Sequence, residues 1–263
     1  MTLRPPGRSG KPRTAGRTNT LDKGIGLAAV ADLLEVGADY VDLVKIGWGT
    51  ALVLPDLDER LDLYRSHDIN VCCGGTLFEY TWVTGQVDDY VGWLKEHGFS
   101  HVEVSDGSIT MEGTAKLEAI ERLAADFHVL SEVGSKDADA IVSPARWVKA
   151  ITAEMEAGAS DVILEGRESG TAGLYRRSGE MRTGLVDEVL DSGIDPDRLI
   201  FEAPQKPHQV YLLKLLGSDV NFGNIAPEDA VPLETLRRGL RSDTLSELHE
   251  APSSDGRRRF SRP

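Results

Sequence analysis

The feature that most constrains the fold of this 263-residue chain is an alternation of strand-like and helix-like segments, repeated eight times between Thr18 and Arg241. Each repeat begins with a short run rich in β-branched and aromatic residues and continues, after a polar turn, into an amphipathic stretch. Eight strand–helix units are the number that closes a parallel sheet into a (β/α)8 barrel. We therefore predict a single α/β domain, a TIM-type barrel, over residues 18–250. The predicted strands are 18–22, 40–46, 69–73, 101–105, 128–133, 161–165, 199–203 and 219–222.

An open, doubly wound sheet is the alternative architecture for such an alternation. That fold needs a glycine-rich phosphate-binding turn after its first strand, and "DKGIG" (22–26) is too short for the fingerprint. The helix signals fit either fold, as in the fifth repeat, where Ser143 is predicted to cap a helix that opens on Pro144 and closes at Gly158. The barrel is the preferred prediction.

The formal net charge of −14 is unevenly distributed. Residues 1–17 hold five basic residues and no acid, and residues 251–263 hold four arginines and one aspartate, so the body is more acidic than the whole chain. An acidic body repels nucleic acids and anionic membranes, and neither is an expected partner. Both basic ends are rich in Pro, Gly and Ser and are predicted to be disordered tails.

Cytoplasmic localisation is the expectation from the remaining composition. No run approaches the ~20 apolar residues that span a bilayer, and the N-terminus lacks the apolar region of a secretory signal. The adjacent Cys72 and Cys73 cannot form a disulfide framework and do not have zinc-site spacing.

Glutamates end four neighbouring predicted strands. In "DVILEGRESG" (161–170), an apolar strand runs directly into Glu165 and Arg167. Side chains alternate between the two faces of a strand, and placing Glu165 inward puts Glu103, Glu132 and Glu202 inward on their own strands. The active site of a barrel lies at this end of the strands. One residue does not fit, because an inward Lys45 leaves Asp42 pointing toward the helices.

Carboxylates gathered at one rim repel each other, by about 4 kcal/mol for a pair ~4 Å apart at an effective dielectric of 20, and need a cation among them. Oxygen ligands without His or Cys favour Mg²⁺, and we predict that Glu103, Glu132, Glu165 and Glu202 bind it. Positive side chains are expected at the same rim: Lys23, Lys45, Lys136 and Arg167. The combination suits a small polyanionic substrate.

Nine further stretches of the chain are characteristic motifs. They include "GGTLFEY" (74–80), "ILEGRESG" (163–170) and "IFEAPQK" (200–206), and together they cover about residues 18–244. In these motifs the chain resembles the phosphosulfolactate synthase family of coenzyme M biosynthesis. The resemblance implies a (β/α)8 barrel that adds sulfite to phosphoenolpyruvate, using Mg²⁺, to give (2R)-2-phospho-3-sulfolactate. The chain departs from the family at Cys73, where a proline is usual, and at His208-Gln209, where paired glutamines are frequent.

This chemistry suggests a role for each candidate residue. Lys136 is the preferred donor of a proton to C2, followed by Lys45, with Lys23 as a further catalytic candidate. Arg167 presents a fork that suits a phosphate or sulfonate, and His208 is the one histidine expected at the rim. Further substrate contacts are expected from Ser105, Gln205, Asn221 and Asn224. The protein is expected to be a homo-oligomer whose partners are the small anions phosphoenolpyruvate and sulfite.

Three alternatives remain open at the level of sequence. A family member could use another small nucleophile or phosphorylated acceptor. A Schiff-base aldolase would use Lys45 or Lys136 as its nucleophile. A non-catalytic, stress-related barrel would resemble the plant heat-stress-associated relatives in the same superfamily.

Overall fold

Eight parallel strands form one sheet in the computed structural model, which describes residues 3–134 and 142–249. The sheet order is β3-β2-β1-β8-β7-β6-β5-β4, and β3 and β4 also lie against each other, so the barrel is nearly closed. The predicted (β/α)8 barrel is confirmed. The strands are β1 Thr18–Asp22, β2 Leu43–Ile46, β3 Asn70–Cys73, β4 His101–Val104, β5 His128–Val133, β6 Asp161–Leu164, β7 Leu199–Glu202 and β8 Asn221–Ile225.

Helices follow the strands and cover the outside of the sheet. The helix predicted to open on Pro144 does begin there, behind Ser143. No helix in residues 3–134 and 142–249 is long and apolar enough to cross a membrane. The helices are α1 Leu27–Gly37, α2 Leu57–Arg65, α3 Gly75–Val83, α4 Val87–Glu96, α5 Ala115–Ala124, α6 Pro144–Glu156, α7 Thr183–Asp191, α8 Lys206–Leu216, α9 Ala230–Arg237 and α10 Leu245–His249.

Three strands begin later than predicted, among them β3, which starts at Asn70 rather than at 69. Strand β2 starts at Leu43, so Asp42 lies just before it, where its carboxylate accepts hydrogen bonds from Thr18 N at 2.9 Å and Arg13 Nη1 at 3.0 Å. Asp42 therefore fits the barrel with Lys45 inward, because it lies outside the strand and ties β1 and β2 together at the bottom of the barrel. Strand β8 starts at Asn221 rather than at 219.

An apolar layer crosses the inside of the barrel below the predicted rim. We call its five buried residues the interior floor: Leu43, Cys72, Leu130, Ile163 and Ile200. Since inward positions recur every second residue, the next inward residue after each floor residue on β2, β5, β6 and β7 is a charged rim residue. The floor thus supports the charged end of the barrel and is continuous across five strands.

Residues 3–17 contact the bottom of the barrel, and the prediction that residues 1–17 form a disordered tail is wrong for this part. The side chain of Arg17 makes two hydrogen bonds to Asp161, at 2.8 and 2.6 Å. Lys11 donates to backbone carbonyls of two other elements. The prediction rested on the low apolar content of residues 1–17. The segment is instead held to the barrel by buried or half-buried ion pairs. These pairs are Arg8–Glu234, Arg13–Asp42 and Arg17–Asp161. The tail predicted at 251–263 lies outside the described residues.

Deleting residues 1–13 is expected to lower the free energy of unfolding by about 2–4 kcal/mol. The deletion removes Arg8 and Arg13, which are ion-pair partners of the buried carboxylates of Glu234 and Asp42. For a domain of this size the melting temperature should fall by roughly 5–10 °C, which differential scanning calorimetry measures. Deleting residues 1–5, which precede the first ion pair, is the matched control and should leave the melting temperature unchanged. Equal melting temperatures for both deletions would show that the contacts contribute nothing.

Candidate active site

The cavity at the C-terminal ends of the strands has a volume of about 310 Å³, a size suited to a small molecule. Among residues 3–134 and 142–249, its charged lining consists of Lys45, Arg167, Glu168 and the four predicted glutamates. The structure therefore brings these charged residues together at one mouth. They come from β2, β4, β5 and β7 and from the loop that follows β6. All four glutamates are at most 5% exposed.

Three of the glutamates form a tight cluster. Glu132, Glu165 and Glu202 each offer a carboxylate oxygen, and these oxygens all lie within 4.8 Å of one another. Two backbone N–H groups orient the carboxylates: Gly166 N donates to Glu202 Oε2 and Arg167 N to Glu165 Oε1, both at 2.8 Å. Three buried anionic oxygen donors match the preference of a hard divalent cation such as Mg²⁺. The donor set fits the predicted metal.

The fourth glutamate, Glu103, pairs with Lys45 instead. Lys45 Nζ lies 3.2 Å from Glu103 Oε2 and 2.9 Å from Glu202 Oε1. Burial lowers the pKa of Lys45, but the carboxylates of Glu103, Glu202 and Glu132 outweigh burial and raise it well above its ordinary value. Lys45 is therefore held as an ammonium ion, which disfavours both its use as a proton donor and its use as a Schiff-base nucleophile.

Glu103 has a different environment from the clustered carboxylates. Its Oε1 accepts a hydrogen bond from Gly75 N, at the start of α3, at 2.7 Å. Burial raises the pKa of Glu103 to about 7, with Lys45 opposing the rise and the neighbouring glutamates adding to it. Of the four predicted metal ligands, Glu103 is thus the one that the structure separates from the others.

A fifth buried carboxylate, Glu79 on α3, was missed by the sequence analysis. Its Oε1 accepts a hydrogen bond from Ser108 N at 3.0 Å. Ser105 Oγ lies 2.8 Å from both Glu79 Oε1 and Glu132 Oε1, so it bridges the two carboxylates. Ser105 therefore supports the rim glutamates rather than lining the cavity. The sequence signal for a buried Glu79 was its position in "GGTLFEY", directly after two apolar residues and before a tyrosine.

Strained backbone surrounds the cavity. Trp48, Arg167 and Asn224 have φ values of 51°, 56° and 56°, a left-handed conformation that costs a non-glycine residue roughly 1–2 kcal/mol. All three line the cavity, and among the described residues only one other non-glycine residue, Asp68, has a positive φ. Within the described ranges, the buried Oδ1 of Asn224 has no hydrogen-bond partner, so its amide is available to a ligand. Such strain is concentrated at functional sites.

Other predicted site residues lie elsewhere. Lys23 is exposed, with its Nζ 6.0 Å from the centre of the Trp48 ring, outside the cavity lining. The prediction for Asn221 is wrong, because this residue begins β8 at the bottom of the barrel and donates to the carbonyl of Leu199 at 3.0 Å. Gln205 donates to the carbonyl of Ser169 instead of facing the cavity. Lys136 lies outside the described residues.

The chain folds as a (β/α)8 barrel, and buried acidic and basic side chains cluster at the C-terminal ends of its strands. This is where (β/α)8-barrel enzymes have their active sites, so the fold and the site define the chain as a barrel enzyme. Comparison with known proteins identifies the family. The model of the (2R)-phospho-3-sulfolactate synthase family (ComA) matches residues 6–243. The chain therefore belongs to this family of enzymes.

Two relatives named as phosphosulfolactate synthases agree with this assignment. The chain is 46% identical over 255 residues to the phosphosulfolactate synthase of Methanothermobacter thermautotrophicus, covering 94% of this chain and 97% of the relative. It is 42% identical over 247 residues to that of Bacillus subtilis, covering 93% and 98%.

Solved structures of similar fold are more distant. The YdjI aldolase of Escherichia coli has a TM-score of 0.55 at 10% identity, covering 82% of this chain and 76% of that one. The 3-hexulose-6-phosphate synthase of Salmonella typhimurium has a TM-score of 0.53 at 14% identity, covering 88% and 94%. At these identities the likeness establishes the barrel alone.

Proposed function

We propose that this protein adds sulfite to phosphoenolpyruvate in a Mg²⁺-dependent reaction that gives (2R)-2-phospho-3-sulfolactate. In this addition the sulfur lone pair forms a bond to C3, the C2–C3 double bond is lost, and C2 gains a proton. The phosphate ester stays intact. The observation that carries the proposal is the cluster of Glu132, Glu165 and Glu202 beside Lys45 and Arg167, in a chain of this family.

Glu132, Glu165 and Glu202 would hold the metal ion. When bound, Mg²⁺ would supply positive charge to the carboxylate oxygens of the acceptor, where negative charge develops during the addition. The three glutamates also need this charge, because Lys45 contributes only one positive charge and shares it with Glu103.

The remaining residues bind and orient the substrate. Arg167 stands at the mouth of the cavity, where its guanidinium can hold a phosphate or sulfite oxygen pair by two parallel hydrogen bonds. The side-chain amide of Asn224, at the end of β8, can bind a second substrate oxygen or accept a hydrogen bond from the substrate. The apolar interior floor lies directly below the charged residues of the rim. Lys136 stays the predicted donor of the proton to C2.

The decisive experiment incubates the purified protein with phosphoenolpyruvate, sulfite and MgCl₂ and follows the phosphorus by NMR. We expect one new phosphate-ester signal, loss of the vinyl protons, and one deuteron at C2 when the reaction runs in D₂O. Chelation with EDTA should abolish turnover, and added Mg²⁺ should restore it. Absence of product with sulfite, or full turnover after chelation, would reject the corresponding part of the proposal.

Replacing Arg167 by lysine keeps the positive charge and removes the fork, so the KM for phosphoenolpyruvate or for sulfite is expected to rise by about tenfold. The value of kcat should change little, because the substitution acts on binding rather than on proton transfer. Steady-state kinetics with each substrate varied in turn measures the effect. A fall in kcat with unchanged KM values would assign Arg167 to the chemical step instead.

A further inference from the structure

The loop that carries Arg167 is folded onto a single short stretch of the chain. We call residues 166–182, which connect β6 to α7, the Arg167 loop. Two hydrogen bonds hold the first part of this loop. Gly166 N donates to Glu202 Oε2 at 2.8 Å, and Ser169 O accepts from Gln205 Nε2 at 2.6 Å. Both partners belong to residues 202–208, at the end of β7 and the start of α8.

Tyr175 fixes the loop to the end of β7. Its side chain is fully buried, and its hydroxyl donates to the backbone carbonyl of Glu202 at 2.6 Å. The ring stacks on the imidazole of His208, with the centres 3.8 Å apart and the planes inclined by 21°. A tyrosine from the loop and a histidine from α8 thus form one contact surface.

His208 makes the hydrogen bond that holds the far part of the loop. It is 4% exposed, and its Nε2 lies 2.8 Å from the carbonyl oxygen of Gly179. A carbonyl can only accept, so Nε2 carries the proton. Within the described residues, the buried Nδ1 has no hydrogen-bond partner, which agrees with a neutral ring, and burial lowers the pKa of His208. His208 does not line the cavity.

Glycines allow the close approach between the loop and this histidine. Gly170 has a φ of 66°, and a Cβ atom built on it would collide with the His208 ring. A Cβ atom on Gly166 would lie 2.6 Å from the Tyr175 ring and 2.7 Å from the carbonyl oxygen of Glu202. The backbone of the loop is therefore packed directly against Tyr175 and His208, without intervening side chains.

We propose that His208 and Tyr175 are positioning residues that latch the Arg167 loop to the β7–α8 connection and so fix Arg167 at the mouth of the cavity. Neither side chain lines the cavity, and both act through the backbone of the loop. The consequence for anion binding rests on the proposed function, whereas the latch itself does not.

The test uses a matched pair, His208→Gln and His208→Met. The two replacements have the same length, and both lose the stacked ring, but only glutamine retains an N–H that can reach Gly179 O. Tyr175→Phe is the complementary variant, because it keeps the ring and loses the hydroxyl that donates to Glu202 O. Loop opening is measured by native-state trypsin cleavage after the exposed Arg176 and Arg177, quantified by mass spectrometry.

Loss of one such hydrogen bond is expected to raise the cleavage rate at this loop about fivefold in His208→Met relative to His208→Gln, with a similar rise in Tyr175→Phe over the wild type. The same loss should lower the melting temperature of His208→Met by only about 2–4 °C, and cleavage at sites outside the loop should stay equal in the two histidine variants, since the loop opens locally. Equal cleavage of the loop in both histidine variants, or an equal rise at sites outside the loop, would overturn the latch.

Kinetics then tests positioning. His208→Met should raise the KM for phosphoenolpyruvate or sulfite about fivefold over His208→Gln with kcat nearly unchanged. A faster-cleaved loop with unchanged KM values would overturn the positioning role of the latch. If the protein forms no phosphosulfolactate at all, the proposed function fails, while the cleavage comparison still decides whether the latch exists.

Discussion

Replacing Glu165 by glutamine is expected to lower the affinity for Mg²⁺ and the rate at limiting Mg²⁺ by at least about 100-fold. The substitution keeps the shape of the side chain and removes one of three clustered charges. Substituting a residue that only hydrogen-bonds to a metal ligand typically lowers metal affinity or activity by about 10–100-fold. Substituting a direct ligand should therefore lower both by more. Isothermal titration with Mg²⁺ and Mg²⁺-dependent activation measure the two effects separately.

Glu168→Gln is the matched control for this prediction. Glu168 lines the same cavity and loses the same charge, but it lies outside the three-carboxylate cluster. Its Mg²⁺ affinity should stay within a few-fold of the wild type, because only the general field of the mouth changes. Equal losses in the two variants would mean that the cluster binds no metal and that net charge alone attracts the ion.

Replacing Lys45 by methionine is expected to lower the free energy of unfolding of the metal-free protein by about 3–5 kcal/mol. The substitution keeps the aliphatic stem but removes the ammonium between Glu103 and Glu202, which leaves two buried carboxylates without their cation. Urea unfolding monitored by circular dichroism measures the loss.

A second substitution tests this explanation. Glu103→Gln removes one of the two carboxylate charges that Lys45→Met leaves without a cation. The glutamine side-chain oxygen can still accept the hydrogen bond from Gly75 N. Lys45→Met should therefore cost less stability in the Glu103→Gln background than in the wild type, so that the two changes are not additive. Strict additivity would show that Lys45 stabilises the barrel through packing and not through its charge.

The barrel and the inward direction of its rim residues could be predicted from sequence, because both follow from local periodicity. Alternation along β5, β6 and β7 fixes which face Glu132, Glu165 and Glu202 occupy, whatever the rest of the chain does. The sequence also predicted that Lys45 joins them. It could not divide the glutamates into a cluster of three and a separate Glu103, since that division depends on distances between strands.

The errors have identifiable physical causes. Asn221 was placed at the wrong end of β8 because "NFGNI" contains two asparagines and a glycine, which weaken the strand signal and hide its start. Glu79 was missed because its partners, Ser105 and Ser108, come from another strand-to-helix connection. Segment 3–17 was assigned to a disordered tail because composition counts apolar groups and takes no account of arginines with buried acidic partners.

The interior floor gives the carboxylate cluster an apolar base on five of the eight strands. Leu43, Cys72, Leu130, Ile163 and Ile200 are uncharged and at most 6% exposed, so the rim charges on these strands have an apolar layer beneath them. We therefore expect an ion that joins the cluster to enter through the cavity, past Arg167 and Trp48. The exchange of ions past these two side chains then becomes a step of the catalytic cycle in its own right, separate from the addition.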